Sequence, residues 1–127
     1  MKNKKILIVD DDPQIAESLE KHLSAAGATV LTASSFETGI ESIRKNAPDA
    51  VITDVMMPGR SGLDLVREIR ALPGPHPFVM ILTNSINAEH IADAMESNVT
   101  TFVQKADHDP AEIVDMLGKR LAEEKKS

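Results

Sequence analysis

Along this chain, short apolar runs alternate with longer stretches in which apolar residues recur every three or four positions. The short runs are Ile6 to Val9, Val30 to Ala33, Ala50 to Ile52, Val79 to Leu82 and Phe102 to Val103. Each has the length of a strand. Several are rich in Ile and Val with almost no polar interruption, the pattern of strands covered on both faces of a parallel sheet. The stretches between them have helical period. Asp12 followed by Pro13 marks the first start, a cap residue before a proline at the first helical position. Ile15, Leu19 and Leu23 then share a face, and Gly27 can close the helix. Ser34 and Glu37 have capping-box spacing ahead of Ile40 and Ile43. A third helix carries Leu63, Val66 and Ile69 and stops before Pro73-Gly74-Pro75. A weaker fourth runs from Asn87 through Ile91 and Met95 to Asn98. The fifth opens at Asp109-Pro110 with Glu112 and aligns Ile113, Leu117 and Leu121. Five strands alternating with five helices predict an α/β domain: a (βα)5 chain with a parallel sheet, right-handed crossovers and helices on both faces.

A length of 127 residues suits one domain, with a core over about residues 4–122 and a short charged tail, AEEKKS, as the frayed end of the last helix. The hydrophobic share of 42% is enough to bury a core without covalent staples. There is no cysteine, which excludes a disulfide frame and thiolate chemistry and fits a reducing, cytoplasmic setting. The opening MKNKKILIVDDD has too short an apolar run for a signal peptide, and no run approaches a membrane span. The net charge of −6, from 14 basic and 20 acidic residues, argues against nonspecific nucleic-acid binding. With no Trp or Tyr and only 3 Phe, the chain is also poorly equipped to stack bases or a flavin.

In a parallel sheet, ligands bind at the carboxyl ends of the strands, near the point where strand order reverses. The first strand runs into Asp10, Asp11 and Asp12, the third into Asp54, the fourth into Thr83, Asn84 and Ser85, and the fifth into Gln104 and Lys105. Carboxylates, a hydroxyl and an ammonium therefore converge on one edge. Adjacent carboxylates repel unless a cation intervenes. Oxygen-only ligands suit a hard divalent ion, magnesium or else manganese. Lys105 and Thr83 can each reach a phosphoryl oxygen. The set is that of a carboxylate nucleophile attacking phosphorus, with the charge neutralised by metal and lysine. Asp12 reads as a helix cap rather than a ligand. The four histidines, His22, His76, His90 and His108, show no ligand pattern.

These segments resemble the receiver domains of two-component response regulators over nearly the whole chain. ILIVDDDP resembles that family's first strand with its acidic pair, and DAVITDVMMPGRSGLDL its phosphorylation strand and loop, with Pro58 and Gly62 in place. VMILTN and TTFVQK resemble its fourth and fifth strands. The resemblance implies a flavodoxin-like three-layer sandwich with strand order 2-1-3-4-5. It implies that Asp54 is the phospho-acceptor, that Asp11, Asp54 and the backbone carbonyl of Met56 bind Mg2+ directly, and that Asp10 acts through a metal-bound water. Thr83 matches the switch hydroxyl, Phe102 the rotating aromatic and Lys105 the family's lysine. The implied donor is a phosphohistidine on a sensor histidine kinase or phosphotransfer protein. Output would pass to a protein partner through the face of the fourth helix, fifth strand and fifth helix, with no direct nucleic-acid or membrane contact. Such a domain is a switch with self-catalysed phosphoryl transfer and autodephosphorylation rather than an enzyme turning over a separate small molecule.

Three positions depart from the family pattern: Asn84 where a very small residue is usual, Ala106 where proline follows the lysine, and Ser61 before Gly62. In the family the bond after the lysine is commonly cis; with alanine a cis form costs about 2.5–4 kcal/mol, so a trans bond with a rearranged loop or a strained bond is expected. Two other readings accompany the first. One is a pseudo-receiver that is never phosphorylated. The other is a phosphatase of the haloacid-dehalogenase type, using Asp10 and Asp12 as a D-x-D, although Gln14 stands where that family has Thr or Val. In receivers, the residues two beyond the acceptor and the switch hydroxyl flank the path of the hydrolytic water. Here they are Met56 and Ser85, neither a strong positioner of water. Slow autodephosphorylation is therefore expected. Rapid loss of the phosphoryl group from purified protein labelled at Asp54 would contradict it.

Overall fold

The apolar runs become strands because their side chains can be buried on both sides at once, and a parallel sheet sandwiched between helices provides that burial. A computed structural model of the chain describes residues 3–54, 62–73, 76–83, 101–104 and 109–124. Its strands are β1 (Lys5–Val9), β2 (Thr29–Ala33), β3 (Ala50–Asp54), β4 (Phe78–Thr83) and β5 (Thr101–Gln104). Its helices are α1 (Pro13–Ala25), α2 (Phe36–Asn46), α3 (Gly62–Ala71) and a C-terminal helix (Pro110–Glu124), the fifth in the sequence pattern. The fourth predicted helix, Asn87 to Asn98, lies outside the described residues.

The strands form one sheet in the order β2-β1-β3-β4-β5, and every pairing is parallel. Each strand extends one or two residues beyond the apolar run that predicts it. β1 is buried along Ile6, Leu7, Ile8 and Val9, and β3 along Ala50, Val51, Ile52 and Thr53. β2 is different. It sits at the edge of the sheet, with Thr29 and Thr32 exposed and Val30 and Leu31 only half-buried.

Alternation along the strands divides the core in two. Leu7, Val9, Val51, Val79 and Ile81 pack with Phe36, Ile40 and Ile43 of α2 and Leu65, Val66 and Ile69 of α3. Ile6, Ile8, Ile52, Met80 and Leu82 pack on the other face with Leu19 and Leu23 of α1 and Ile113, Leu117 and Leu121 of the C-terminal helix. The predicted faces of α1, α2 and the C-terminal helix are thus the buried ones. In α3 the buried residues are Leu65, Val66 and Ile69; the predicted spacing omits Leu65, and the predicted Leu63 side chain lies outside those described. Gly39 lets α2 lie close to β1: a Cβ there would stand 3.2 Å from Val9 Cγ2.

Helix ends follow local chemistry. Asp12 caps α1 by accepting the Gln14 amide at 3.0 Å. Gly27, beyond its end, takes φ 94, a backbone conformation that glycine adopts without steric cost. The capping box of α2 is one residue later than the sequence spacing implies. Ser35, not Ser34, is the cap, and Thr38 rather than Glu37 returns the bond to the Ser35 amide at 3.2 Å. A hydroxyl at Thr38 closes that reciprocal pair as well as a longer carboxylate does. At the C-terminal helix, Asp109 Oδ1 accepts the Glu112 amide at 2.8 Å, as predicted.

The end of α2 carries a strained residue. Ala47 caps it with φ 47 and ψ 62, the left-handed region that an alanine Cβ disfavours by about 1–2 kcal/mol. Ala47→Gly is therefore expected to raise the stability of the domain by roughly 1 kcal/mol, read as a higher urea midpoint at unchanged slope. A lower midpoint would mean that Ala47 contributes packing that outweighs its backbone strain.

Candidate functional site

The site is set by the pairing of β1 with β3. Their register aligns Val9 with Thr53. Extending that register by one step brings Asp10, the residue after β1, beside Asp54, the last residue of β3. This is also where the order reverses, because β2 lies on one side of β1 and β3 on the other. Beyond β3, the register pairs Asp54 with Leu82 and Thr83 with Gln104. The carboxyl ends of β3, β4 and β5 therefore lie side by side.

Asp10, Asp11 and Asp54 each present a carboxylate oxygen, and the three oxygens lie within 4.8 Å of one another. Asp10 is buried at 4% exposure, Asp54 is intermediate and Asp11 is exposed. Two charges 4 Å apart repel by about 1 kcal/mol in water and about 4 kcal/mol in protein-like surroundings. The exposed Asp11 puts its pairs toward the lower figure.

The donor set fits a hard divalent cation. It is all oxygen, partly open to water and acidic. Three carboxylate oxygens within 4.8 Å of one another are near enough to serve one such ion together. Asp10 is held in place by bonds of its own. Its Oδ1 already accepts the Asp12 amide at 2.9 Å, while its own amide donates to the Ala33 carbonyl at 3.0 Å. Asp12 is outside the cluster, engaged in capping α1.

The backbones of Thr83 and Phe102 lie in β4 and β5, as predicted. Lys105, Met56, Asn84, Ser85, Ser61 and Ala106 lie outside the described residues. Sequence reasoning overlooked Thr53. It is fully buried and its hydroxyl donates to the Asp54 carbonyl at 3.1 Å. The available signal was a lone hydroxyl at the end of an otherwise apolar run. An open cleft of about 550 Å³ beside the cluster is lined by Asp10, Asp11, Glu17, Glu20, Thr32 and Thr38, among others. A larger cavity of about 640 Å³ sits at the opposite edge of the sheet, near Lys4, Arg44, Asp49 and His76, away from the carboxylates. The chemistry of the donor set, not cavity size, identifies the site.

Comparison with known proteins agrees with this placement. A family model described as the response regulator receiver domain matches residues 6–118. The response regulator MprA of Mycobacterium sp. (strain KMS) is 36% identical over 88 residues, covering 69% of this chain and 38% of MprA. The DNA-binding response regulator MtrA of Mycolicibacterium smegmatis is 34% identical over 117 residues, covering 92% of this chain and 50% of MtrA. The chain thus spans half or less of the length of these curated relatives. The crystal structure of a response regulator receiver domain protein from Clostridium thermocellum superposes with a TM-score of 0.84 at 31% identity, covering 96% of this chain and 97% of that one.

The crowding of like charge has a measurable consequence. Without divalent cations, Asp11→Asn is expected to stabilise the fold by up to about 1 kcal/mol, because an exposed side chain that loses its charge relieves its two neighbours. Added Mg2+ should raise the melting temperature of the native chain more than that of the variant. If the variant is no more stable than the native chain without metal, and gains as much from Mg2+, the three carboxylates do not act together.

Proposed function

The chain belongs to the response-regulator receiver family, and from that membership we propose that it is a phosphorylation-operated switch whose acceptor is Asp54. The donor is a phosphohistidine on a sensor histidine kinase or phosphotransfer protein. The observation that carries this reading is the meeting of Asp10, Asp11 and Asp54, from two neighbouring strands, within 4.8 Å.

A carboxylate oxygen of Asp54 attacks the phosphorus of the donor. The new O–P bond forms as the P–N bond to the donor imidazole breaks, and the released ring nitrogen takes up a proton. The product is an acyl phosphate on Asp54. Asp11, Asp54 and the Met56 carbonyl would hold Mg2+, with Asp10 acting through water, and the bound ion would supply countercharge to the transferred oxygens. Asp54 is held at the end of a buried strand, so it meets the donor with little freedom to lose. Lys105 and Thr83 take the phosphoryl oxygens, and Phe102 turns into the space that Thr83 vacates. The surface of the fourth predicted helix, β5 and the C-terminal helix then changes its preference for a protein partner. Coupling of this kind is typically worth about 1–3 kcal/mol.

Among the described residues, no helix is long and apolar enough to cross a membrane. We place the domain in the cytoplasm, consistent with a phosphohistidine donor and the lack of cysteine. The phosphatase reading is disfavoured by Asp12. Its carboxylate caps α1 and takes no part in the acidic cluster that a D-x-D mechanism requires it to join.

Incubation with acetyl phosphate and Mg2+ followed by phosphate-affinity electrophoresis should retard the native chain and leave Asp54→Ala unshifted. A shift retained in Asp54→Ala would move the acceptor elsewhere. No shift in either would support a pseudo-receiver.

A further inference from the structure

Among the described residues, two polar side chains are buried, Asp10 at 4% exposure and Thr53 at 0%. Both lie at the carboxyl edge of the sheet, Thr53 in β3 and Asp10 just beyond the end of the adjacent β1. Asp10 belongs to the acidic cluster. Thr53 does not, because alternation turns it to the opposite face from Asp54, the side on which Val51 packs against α2 and α3.

Packing alone gives no reason for a hydroxyl there. Valine has nearly the same shape and would suit an apolar layer without a polar group to satisfy. What the hydroxyl does is specific: it donates to the backbone carbonyl of Asp54 at 3.1 Å. That carbonyl belongs to the peptide group by which the chain leaves β3. Fixing it restricts rotation about the Cα–C bond of Asp54, and so the backbone from which the carboxylate projects. On the far side of the same residue, the register with Leu82 ties β3 into the sheet. Asp54 is thus gripped from its neighbour's side chain as well as through the ladder.

We propose that Thr53 is a positioning residue for the acceptor: its hydroxyl holds the Asp54 peptide group so that the carboxylate keeps its place beside Asp10 and Asp11. This rests on the reading of Asp54 as the acceptor in a cation-assisted transfer. The hydroxyl touches neither donor nor cation. It acts through Asp54 alone, as groups behind a ligand commonly do.

The test separates the hydroxyl from the packing. Thr53→Val removes the hydroxyl and keeps the shape; Thr53→Ser keeps the hydroxyl and loses a methyl; Thr53→Ala loses both. Mg2+ affinity is measured by calorimetry or by competition with Mn2+ followed by electron paramagnetic resonance, since the chain has no Trp or Tyr to report by fluorescence. The initial rate of labelling by acetyl phosphate and the urea midpoint are measured in parallel. Thr53→Val is expected to keep its urea midpoint yet bind Mg2+ roughly tenfold more weakly and label more slowly at limiting Mg2+. Thr53→Ser should lose stability but retain native Mg2+ affinity within about twofold, a split that a purely structural role would not produce. Should the valine variant fail to fold, the serine and alanine variants, which differ by the hydroxyl, carry the same comparison. Native Mg2+ affinity and labelling rate in Thr53→Val, or equal affinities in the serine and alanine variants, overturn the proposal. Failure of the native chain itself to bind Mg2+ and to be labelled overturns the acceptor reading, and the positioning role with it.

Discussion

The structure depends on a parallel pairing that forces like charges together. Once Val9 is opposite Thr53, the next residue of each chain segment is an aspartate, and neither can withdraw without breaking the ladder. The magnitudes show why the ladder wins. Fully burying one large aliphatic side chain is worth about 1.5–3 kcal/mol, and β1 and β3 bury Ile6, Leu7, Ile8, Val9, Val51 and Ile52 with almost no exposure. Repulsion between two carboxylates at this separation, partly screened, is of the order of a single such side chain. Hydrophobic burial therefore holds open an acidic site that electrostatics alone would disperse. A divalent cation bound there would gain affinity from repulsion that the fold has already overcome.

The three consecutive aspartates divide the work by position. Asp10 is buried and accepts the Asp12 amide, so the turn is braced from within. Asp11 remains exposed, and Asp12 starts α1. The positive end of α1 consequently stands beside the cluster and offsets part of its charge. The opposite edge of the sheet is fastened differently. Lys5 and Asp49 are joined by two hydrogen bonds: the Asp49 amide donates to the Lys5 carbonyl and the Lys5 amide to the Asp49 side-chain Oδ2, both at 2.8 Å. The Phe78 amide adds a bond to the Asp49 carbonyl at 3.1 Å. One edge is thus closed by its own hydrogen bonds, while the other presents acidic side chains to water.

Much of this was legible in the sequence because the signals were redundant. The central strands were readable because burial on both faces leaves only apolar residues. The helices were readable because Asp12-Pro13 and Asp109-Pro110 combine a cap with a proline. The acidic site was readable because alternating strands and helices send all strand ends to one edge. What was missed has local causes. Ser34 and Ser35 compete for the same cap, and backbone geometry, not composition, selected Ser35. Ala47 carries no sign of its left-handed conformation, since alanine is a good helix former rather than a helix terminator. The edge position of β2, by contrast, was implied by the family resemblance through the order 2-1-3-4-5, although periodicity alone does not encode it. Thr53 escaped notice because a β-branched residue in a strand needs no explanation until its hydroxyl partner is known.

The competing chemistries can be separated by asking which carboxylates the backbone allows to meet. A D-x-D phosphatase would need Asp10 and Asp12 to face one substrate. Here the Asp12 amide is turned onto Asp10 Oδ1, and the Asp12 carboxylate is turned along α1 to the Gln14 amide. Using Asp12 as a general acid would strip the helix of its cap, a loss of roughly 1 kcal/mol, and leave an amide unsatisfied. Asp54, by contrast, meets Asp10 and Asp11 while Asp10 keeps its bond from the Asp12 amide. Its partner across the sheet is supplied by the fold, and its peptide is restrained by Thr53. An acceptor that projects from a restrained strand end into a pre-assembled acidic site requires little rearrangement to react. The same three elements do not supply that arrangement to Asp12.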